Sequence, residues 1–342
     1  MSIRFALGLA GLLLASCASL PAATPVIARA ETTSVPSSAG TGQLAIWGGS
    51  LYGPELTRDG FVVAAAESGG LALRDFRGAV LQHLPGSRLA DVDLTALPLE
   101  SSFTVVVGGT RRAPGRTPIA FFRLDHGSGE TLRPWGEITT DLSDPGGFCM
   151  RQATGGVQAV AFDRRGAARQ FTISEGPDGA VVARETRRFH IPGAGSACAL
   201  AGVSGHLYVS HARGGFWRYP LDANSVVPPT HVGVSSPAGV SRSESIAIFT
   251  AGRHTYLASL DSSNAAFSLW RIDRDDLTWV GRIEVRDNPE GRRVRNLTAV
   301  DAYGDAVEGF PDGLIIVQGR AGSGPPKLHY IDWSEVKRVL GL

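Results

Sequence analysis

Cys17 is the residue whose surroundings define its chemistry most directly. Arg4 precedes an apolar run from Phe5 to Leu14, and Leu14-Ala15-Ser16-Cys17 ends the run with small residues before the thiol. The run is shorter than the roughly 20 residues a bilayer span requires. A basic start, a short apolar stretch and a small-residue end describe a cleaved signal peptide. The small residues fit the bacterial lipobox, in which the cysteine is diacylated and becomes the new N-terminus. Two acyl chains hold a protein stably at a membrane surface. Residues 1–16 are therefore read as a lipoprotein signal peptide and Cys17 as the lipid anchor. The alternative is an ordinary secretory signal in which Cys17 is incidental. Ala18 after the cysteine, instead of an aspartate, points to an outer-membrane location facing the periplasm.

Two further cysteines, Cys149 and Cys198, would lie in an oxidising compartment and are expected to pair. The alternative is two buried thiols acting as small hydrophobes. Lysine occurs only at Lys327 and Lys337, so arginine carries nearly all the positive charge. Arginine suits bidentate binding of carboxylate or phosphate. The formal net charge is +1, and no basic stripe interleaved with aromatics suggests a nucleic-acid partner. No G-x-S-x-G elbow, H-E-x-x-H, phosphate-cradling glycine loop or repeated Cys-His spacing is present. His211 beside Arg213 could act as an acid or base, against the plainer reading of an exposed loop histidine. Asp273, Asp275 and Asp276 read as a solvated hairpin turn, not a chelating group.

The elements that must position such residues are short strands. With 43 glycines and 20 prolines, the chain leaves little room for long helices. Apolar runs such as Phe61-Val62-Val63-Ala64-Ala65, Phe103-Thr104-Val105-Val106-Val107 and Leu314-Ile315-Ile316-Val317 recur between turn residues, and no helical period holds before Ser334. Many short strands at regular intervals imply a sandwich, barrel or propeller. Ala65-Ala66-Glu67-Ser68-Gly69-Gly70-Leu71 and Val209-Ser210-His211-Ala212-Arg213-Gly214-Gly215-Phe216 share a strand, a glycine turn and a second strand, which favours propeller blades. Residues 17–42, rich in Ala, Pro, Ser and Thr, read as a flexible tether outside the folded unit.

Several phrases, in order, carry a family resemblance. Gly70-Leu71-Ala72-Leu73-Arg74-Asp75-Phe76-Arg77-Gly78 is similar to G-L-x-V-Y-D-L-x-G, and Arg88-Leu89-Ala90-Asp91-Val92-Asp93-Leu94 to R-x-N-N-V-D-L. Gly147-Phe148-Cys149-Met150, Gly205-His206-Leu207-Tyr208-Val209, Glu244-Ser245-Ile246-Ala247-Ile248-Phe249 and Phe310-Pro311-Asp312-Gly313-Leu314 follow. From about Glu31 to Trp333 the chain resembles the β-propeller phytases. The resemblance implies an all-β, six-bladed propeller over residues 43–342.

It also implies 3-phytase-type hydrolysis of phosphomonoesters such as myo-inositol phosphates, with several calcium ions activating water and neutralising phosphoryl charge. Calcium takes about 6–8 oxygen ligands, so such a site is a ring of carboxylates. Arg112 and Arg164 fall on phosphate-binding positions of the family. Glu244 falls on a calcium-ligand glutamate, and Asp93, Val92 and Glu31 also match metal positions. Each has a plainer reading: strand-end charges for the arginines, a backbone-bonded loop carboxylate for Glu244, a turn cap for Asp93.

Most of the family's acids are replaced. Its opening D-D-P falls on Gly42, Gln43 and Leu44, two lysines on Glu67 and Ser68, and a tyrosine on Gly146. A glutamate falls on Ser196, an E-E-D cluster on His211, Ala212 and Arg213, and an aspartate-rich phrase on Val294 to Ala299. Two functions are thus expected. One is a phosphomonoesterase with a reduced calcium centre. The other, which residue chemistry favours, is a non-catalytic propeller binding an anionic ligand or a protein partner at the membrane surface.

Overall fold

The second strand of each repeat is apolar on both sides. Phe61–Ala66, for example, is buried at every residue. A strand buried on both faces reads as a continuous apolar run, whereas a half-exposed one alternates. Val181–His190 is of the second kind and forms the outer edge of its sheet. The difference reports distance from the axis of a ring of sheets.

A computed structural model describes residues 24–33, 39–50, 55–66, 69–125, 130–202, 204–233, 243–261, 265–274, 276–288 and 290–342. Its strands form six sheets, one per propeller blade. From the inner to the outer edge, blade 1 comprises Ala39–Trp47, Phe61–Ala66, Leu71–Arg74 and Val80–Leu84, and blade 2 comprises Leu89–Pro98, Phe103–Arg111, Thr117–Asp125 and Thr131–Thr140. Blade 3 holds Pro145–Ala153, Gly156–Asp163, Ala167–Glu175 and Val181–His190, and blade 4 holds Ala194–Ala201, His206–His211, Phe216–Pro220 and Thr230–Val232. Blade 5 is Ile246–Ala251, His254–Asp261, Ala266–Asp273 and Asp276–Arg286; blade 6 is Val294–Tyr303, Leu314–Ala321 and Lys327–Asp332. Each innermost strand touches its two ring neighbours, and Val294–Tyr303 packs on Ala39–Trp47, so the ring closes around a channel.

The core is divided accordingly. The buried apolar side chains fall into six clusters, each lying between two adjacent blades. Phe148 and Val157 of blade 3, for instance, pack on Val106 of blade 2. Cys149 and Cys198, on the innermost strands of blades 3 and 4, form a disulfide across one such seam, with a Cα–Cα separation of 5.8 Å.

The two phrases that suggested a repeat are the same hairpin in blades 1 and 4. Ala66 N donates to Gly70 O at 3.0 Å, and His211 N donates to Gly215 O at 3.0 Å. Gly69 and Gly70 have φ of 96° and 81°, Gly214 and Gly215 of 97° and 72°. Two successive left-handed residues are nearly free only for glycine, which is why the pair recurs in the sequence.

The tether expectation is corrected in part. Cys17 and residues 1–23 lie outside the described residues, as do Glu67, Ser68 and Asp275. Residues 24–33, however, join the ring. Val26–Arg29 pairs in parallel with Asp276–Arg286 on the outer edge of blade 5, and Thr32–Thr33 pairs with Tyr330 and His329 of blade 6. The strand Ala39–Trp47 likewise starts before residue 43. Ala28 and Ala30 are fully or almost fully buried in the blade 5–6 cluster. A four-residue strand with one inward alanine, followed by a second at Ala30, is too short and too weakly apolar to register as a pattern; an open sheet edge recruits it.

Candidate functional site

Antiparallel pairing decides which residues meet. Within a blade, the start of the first strand lies beside the end of the second: Leu89 opposite Arg111, Pro145 opposite Asp163, Ala194 opposite His211. Residues just before first strands and just after second strands therefore gather at one mouth of the channel. There they line a cavity of about 530 Å³ whose wall includes Arg88, Asp91, Arg112, Arg164 and Glu244.

Arg112 follows the second strand of blade 2 and Arg164 the second strand of blade 3. Both are paired with Asp144, which precedes the first strand of blade 3. Arg112 Nε lies 3.4 Å from Asp144 Oδ1, and Arg164 Nε lies 3.3 Å from Asp144 Oδ2. Arg164 N also donates to Asp144 O at 3.1 Å. The three side chains are half exposed, so the cluster faces solvent at the rim.

Asp91, on the first strand of blade 2, is buried behind them and accepts a hydrogen bond from Thr110 Oγ1 at 3.3 Å. Burial pushes its carboxyl up to about 6, against the opposing pull of Thr110, of the Arg164 and Arg112 charges and of Gln43.

The substituted positions line the same cavity. Gln43, Gly146, Ser196 and Thr298 all contribute to its wall. Gln43 Nε2 donates to Glu244 O at 2.8 Å, and Ser245 Oγ donates to Gln43 Oε1 at 2.7 Å. An amide can donate and accept, so Gln43 knits blade 1 to the segment entering blade 5 with neutral hydrogen bonds; an ionised carboxylate there could only accept. At Gly146 the backbone has closed in. A Cβ there would stand 2.7 Å from Asp163 C and 2.9 Å from Arg164 N.

Deeper in the channel, Val92, Asp93 and Asp301 line a second cavity of about 220 Å³. The two aspartates are bonded alike. Asp93 accepts from Leu94 N at 2.7 Å and from Met150 N, on the next blade, at 2.6 Å. Asp301 accepts from Ala302 N at 2.8 Å and from Ile46 N, on the next blade, at 2.8 Å. Each carboxyl thus ties its blade to the following one. Burial pushes Asp93 up to about 7. Burial, and then the Asp93 charge, push Asp301 up to about 8.

The structure therefore brings Arg112, Arg164 and Glu244 to one mouth, sets Val92 and Asp93 below them, and leaves Glu31 elsewhere. Glu31 lies beside Phe310 and Asp332 in a separate pocket, near the end of the channel opposite the arginines. His211 packs edge-on against Trp217 and tilted against His231, at centroid distances of 6.0 and 4.6 Å, and does not line the arginine cavity. Its Nδ1 accepts from Arg213 N at 3.2 Å, and burial, followed by the neighbouring His231, lowers its pKa. Sequence reasoning missed Asp91, Asp144 and Asp301. Asp91 stood inside the quoted phrase Arg88 to Leu94, where the family pattern has asparagine; nothing local marks the other two.

The described residues at the mouth do not assemble the carboxylate ring that several calcium ions would need. Among the described residues no three His, Cys, Asp or Glu side chains are grouped to hold a metal. Asp144 is engaged by two guanidinium groups, Asp91 faces the same two charges, and Gln43 and Ser196, which the resemblance pairs with acids, supply neutral oxygens.

Comparison with known proteins agrees with the fold and places the chain. A 3-phytase of Bacillus subtilis (strain 168) is 22% identical over 299 residues, covering 82% of this chain and 77% of that protein. A solved protein of unknown function from Bacteroides thetaiotaomicron superposes with a TM-score of 0.55 at 12% identity, covering 89% of this chain and 75% of its own. The six-bladed fucose-recognising lectin of Aleuria aurantia superposes with a TM-score of 0.50 at 12% identity, covering 70% of this chain and 78% of the lectin. These last two are likenesses of fold alone. The model of the family described as Phytase matches residues 5–323, nearly the whole chain, and the protein belongs to that family.

Proposed function

We propose that the mouth of this propeller is a binding site for a phosphorylated small molecule of the inositol-phosphate class, held by Arg112 and Arg164. The observation that carries the reading is the convergence of both guanidinium groups on the two oxygens of one carboxylate. A geometry that grips a carboxylate between two arginines also suits two oxygens of a phosphate. Asp91, buried behind the arginines, and Glu244, exposed, line the same cavity.

A second reading is hydrolysis of the bound ester, as in a 3-phytase. Family membership and the survival of Glu244 at a calcium-ligand position favour it; the donor set favours binding without turnover. Phosphate release from phytate by the purified full chain, with calcium and then with chelator, separates the two. Calcium-dependent turnover abolished by Glu244→Ala establishes hydrolysis. Saturable phytate binding with no turnover and no calcium-induced thermal shift leaves the binding site alone. Export, with lipid anchoring through Cys17 at the outer membrane, belongs to the same proposal; labelling of the chain with a radioactive fatty acid, lost in Cys17→Ala, tests it.

A further inference from the structure

Asp144 occupies the place where the anion would bind. Its carboxylate is shared by Arg112 and Arg164 at 3.4 and 3.3 Å, one guanidinium to each oxygen. Its main chain is fixed independently, by the Arg164 N to Asp144 O bond of 3.1 Å and by Pro145 beginning the innermost strand of blade 3. The side chain is half exposed, so it can swing into solvent without uncovering a core. Among the described residues, Arg112 and Arg164 are the side chains paired with the carboxylate.

We propose that Asp144 is a built-in competitor for the arginine pair, so that an anion enters only by displacing it. The inference rests on the reading of the mouth as a phosphate site. A protein whose binding-competent form is a fraction of the whole shows every ligand an affinity reduced by that fraction. Asp144 therefore handicaps all anions by a common factor. A ligand with one phosphate, gripped by two arginines alone, suffers the whole handicap. A ligand with several phosphates recovers affinity through further contacts, since each added linked group binds at high effective concentration. Arg88 lines the same cavity and is placed to supply one. The device thus raises the concentration at which any anion fills the site, so that free phosphate falls below the threshold while rings with several phosphates, through their further contacts, still exceed it.

The test is calorimetric titration of the full chain with inorganic phosphate and with myo-inositol hexakisphosphate, for wild type, Asp144→Asn and Asp144→Ala. Asp144→Asn keeps the size of the side chain and removes its charge; Asp144→Ala repeats the measurement without an amide. Both variants are expected to bind both probes about five- to tenfold more tightly, the scale of two partly exposed ion pairs, with a melting temperature lowered by at most a few degrees. A merely structural Asp144 would weaken binding when replaced. Wild-type binding that is unchanged or weaker in both variants overturns the competitor and leaves the phosphate site standing. Silence of both probes in wild type and variants overturns the phosphate site itself. Binding seen only in the variants supports both.

Discussion

Arg112 and Arg164 sit on neighbouring blades, 52 positions apart in sequence, yet Asp144 holds both, at 3.4 and 3.3 Å. Two second strands ending at the same mouth bring the arginines together, and the residue before the next first strand supplies the carboxylate between them.

Replacing either arginine with lysine retains the charge and removes the planar fork. Arg112→Lys and Arg164→Lys are each expected to weaken phytate binding about tenfold, corresponding to roughly 1.5 kcal/mol for a charge-assisted hydrogen bond. Calorimetry at constant ionic strength measures it. Equal affinity in both variants would show that charge alone, without bidentate geometry, makes the site.

The resemblance pairs Gly146 with a tyrosine, but the backbone leaves no room for a side chain there. Even Gly146→Ala pushes a methyl against Asp163 C and Arg164 N, at 2.7 and 2.9 Å. Overpacking of this kind costs about 1–3 kcal/mol. A lowered melting temperature together with weakened anion binding, through a displaced Arg164, is the expected result.

The paired channel acids predict a pH dependence of stability. Folded Asp93 and Asp301 bind protons up to about 7 and about 8, whereas an unfolded aspartate releases its proton near 3.9. The folded state therefore carries more protons between those limits, and stability falls as pH rises through that window. The cost is absent below about pH 4 and complete above about pH 8. Asp301→Asn removes one titration and should flatten the slope of melting temperature against pH between 5 and 9. It should also lower stability at pH 5, because an amide group facing the Ile46 and Ala302 N–H groups cannot accept from both with equal ease. A slope as steep as wild type would place the titration elsewhere.

The disulfide joins residues 49 apart. Loop-closure entropy for a ring of that size corresponds to about 4 kcal/mol, with 2–4 kcal/mol the usual yield. Cys149→Ser with Cys198→Ser, or reduction of the native protein, should lower the unfolding free energy by that amount in denaturant titration.

Much of the ring was legible because it is written locally. Alternating runs, glycine pairs such as Gly69-Gly70 and Gly214-Gly215, and ordered phrases each occupy a few consecutive residues. Glu244 lies in such a phrase, and Arg112 and Arg164 were placed by the resemblance that the ordered phrases carry. Asp144 was not, since a Ser-Asp-Pro turn is unremarkable until blades 2 and 3 are set side by side. Asp301 lies in Val294–Tyr303, whose apolar residues announce a strand and hide the one acid that faces the channel. Glu31 matched a phrase, but the register of Thr32 with Tyr330 carries it toward the far end of the channel. Val26–Arg29 is called into strand form by an edge some 250 residues away, a cause with no local trace.

That same edge has a consequence for biogenesis. Val26 pairs with Ile283 and Thr32 with Tyr330, so blade 5 cannot be completed before residues near 286 are available, nor blade 6 before residues near 330. Contacts of such sequence separation form slowly, because their loop entropy must be overcome first. Val26–Arg29 and Thr32–Thr33 must wait for partners some 250 to 300 residues further along before the ring can zip shut.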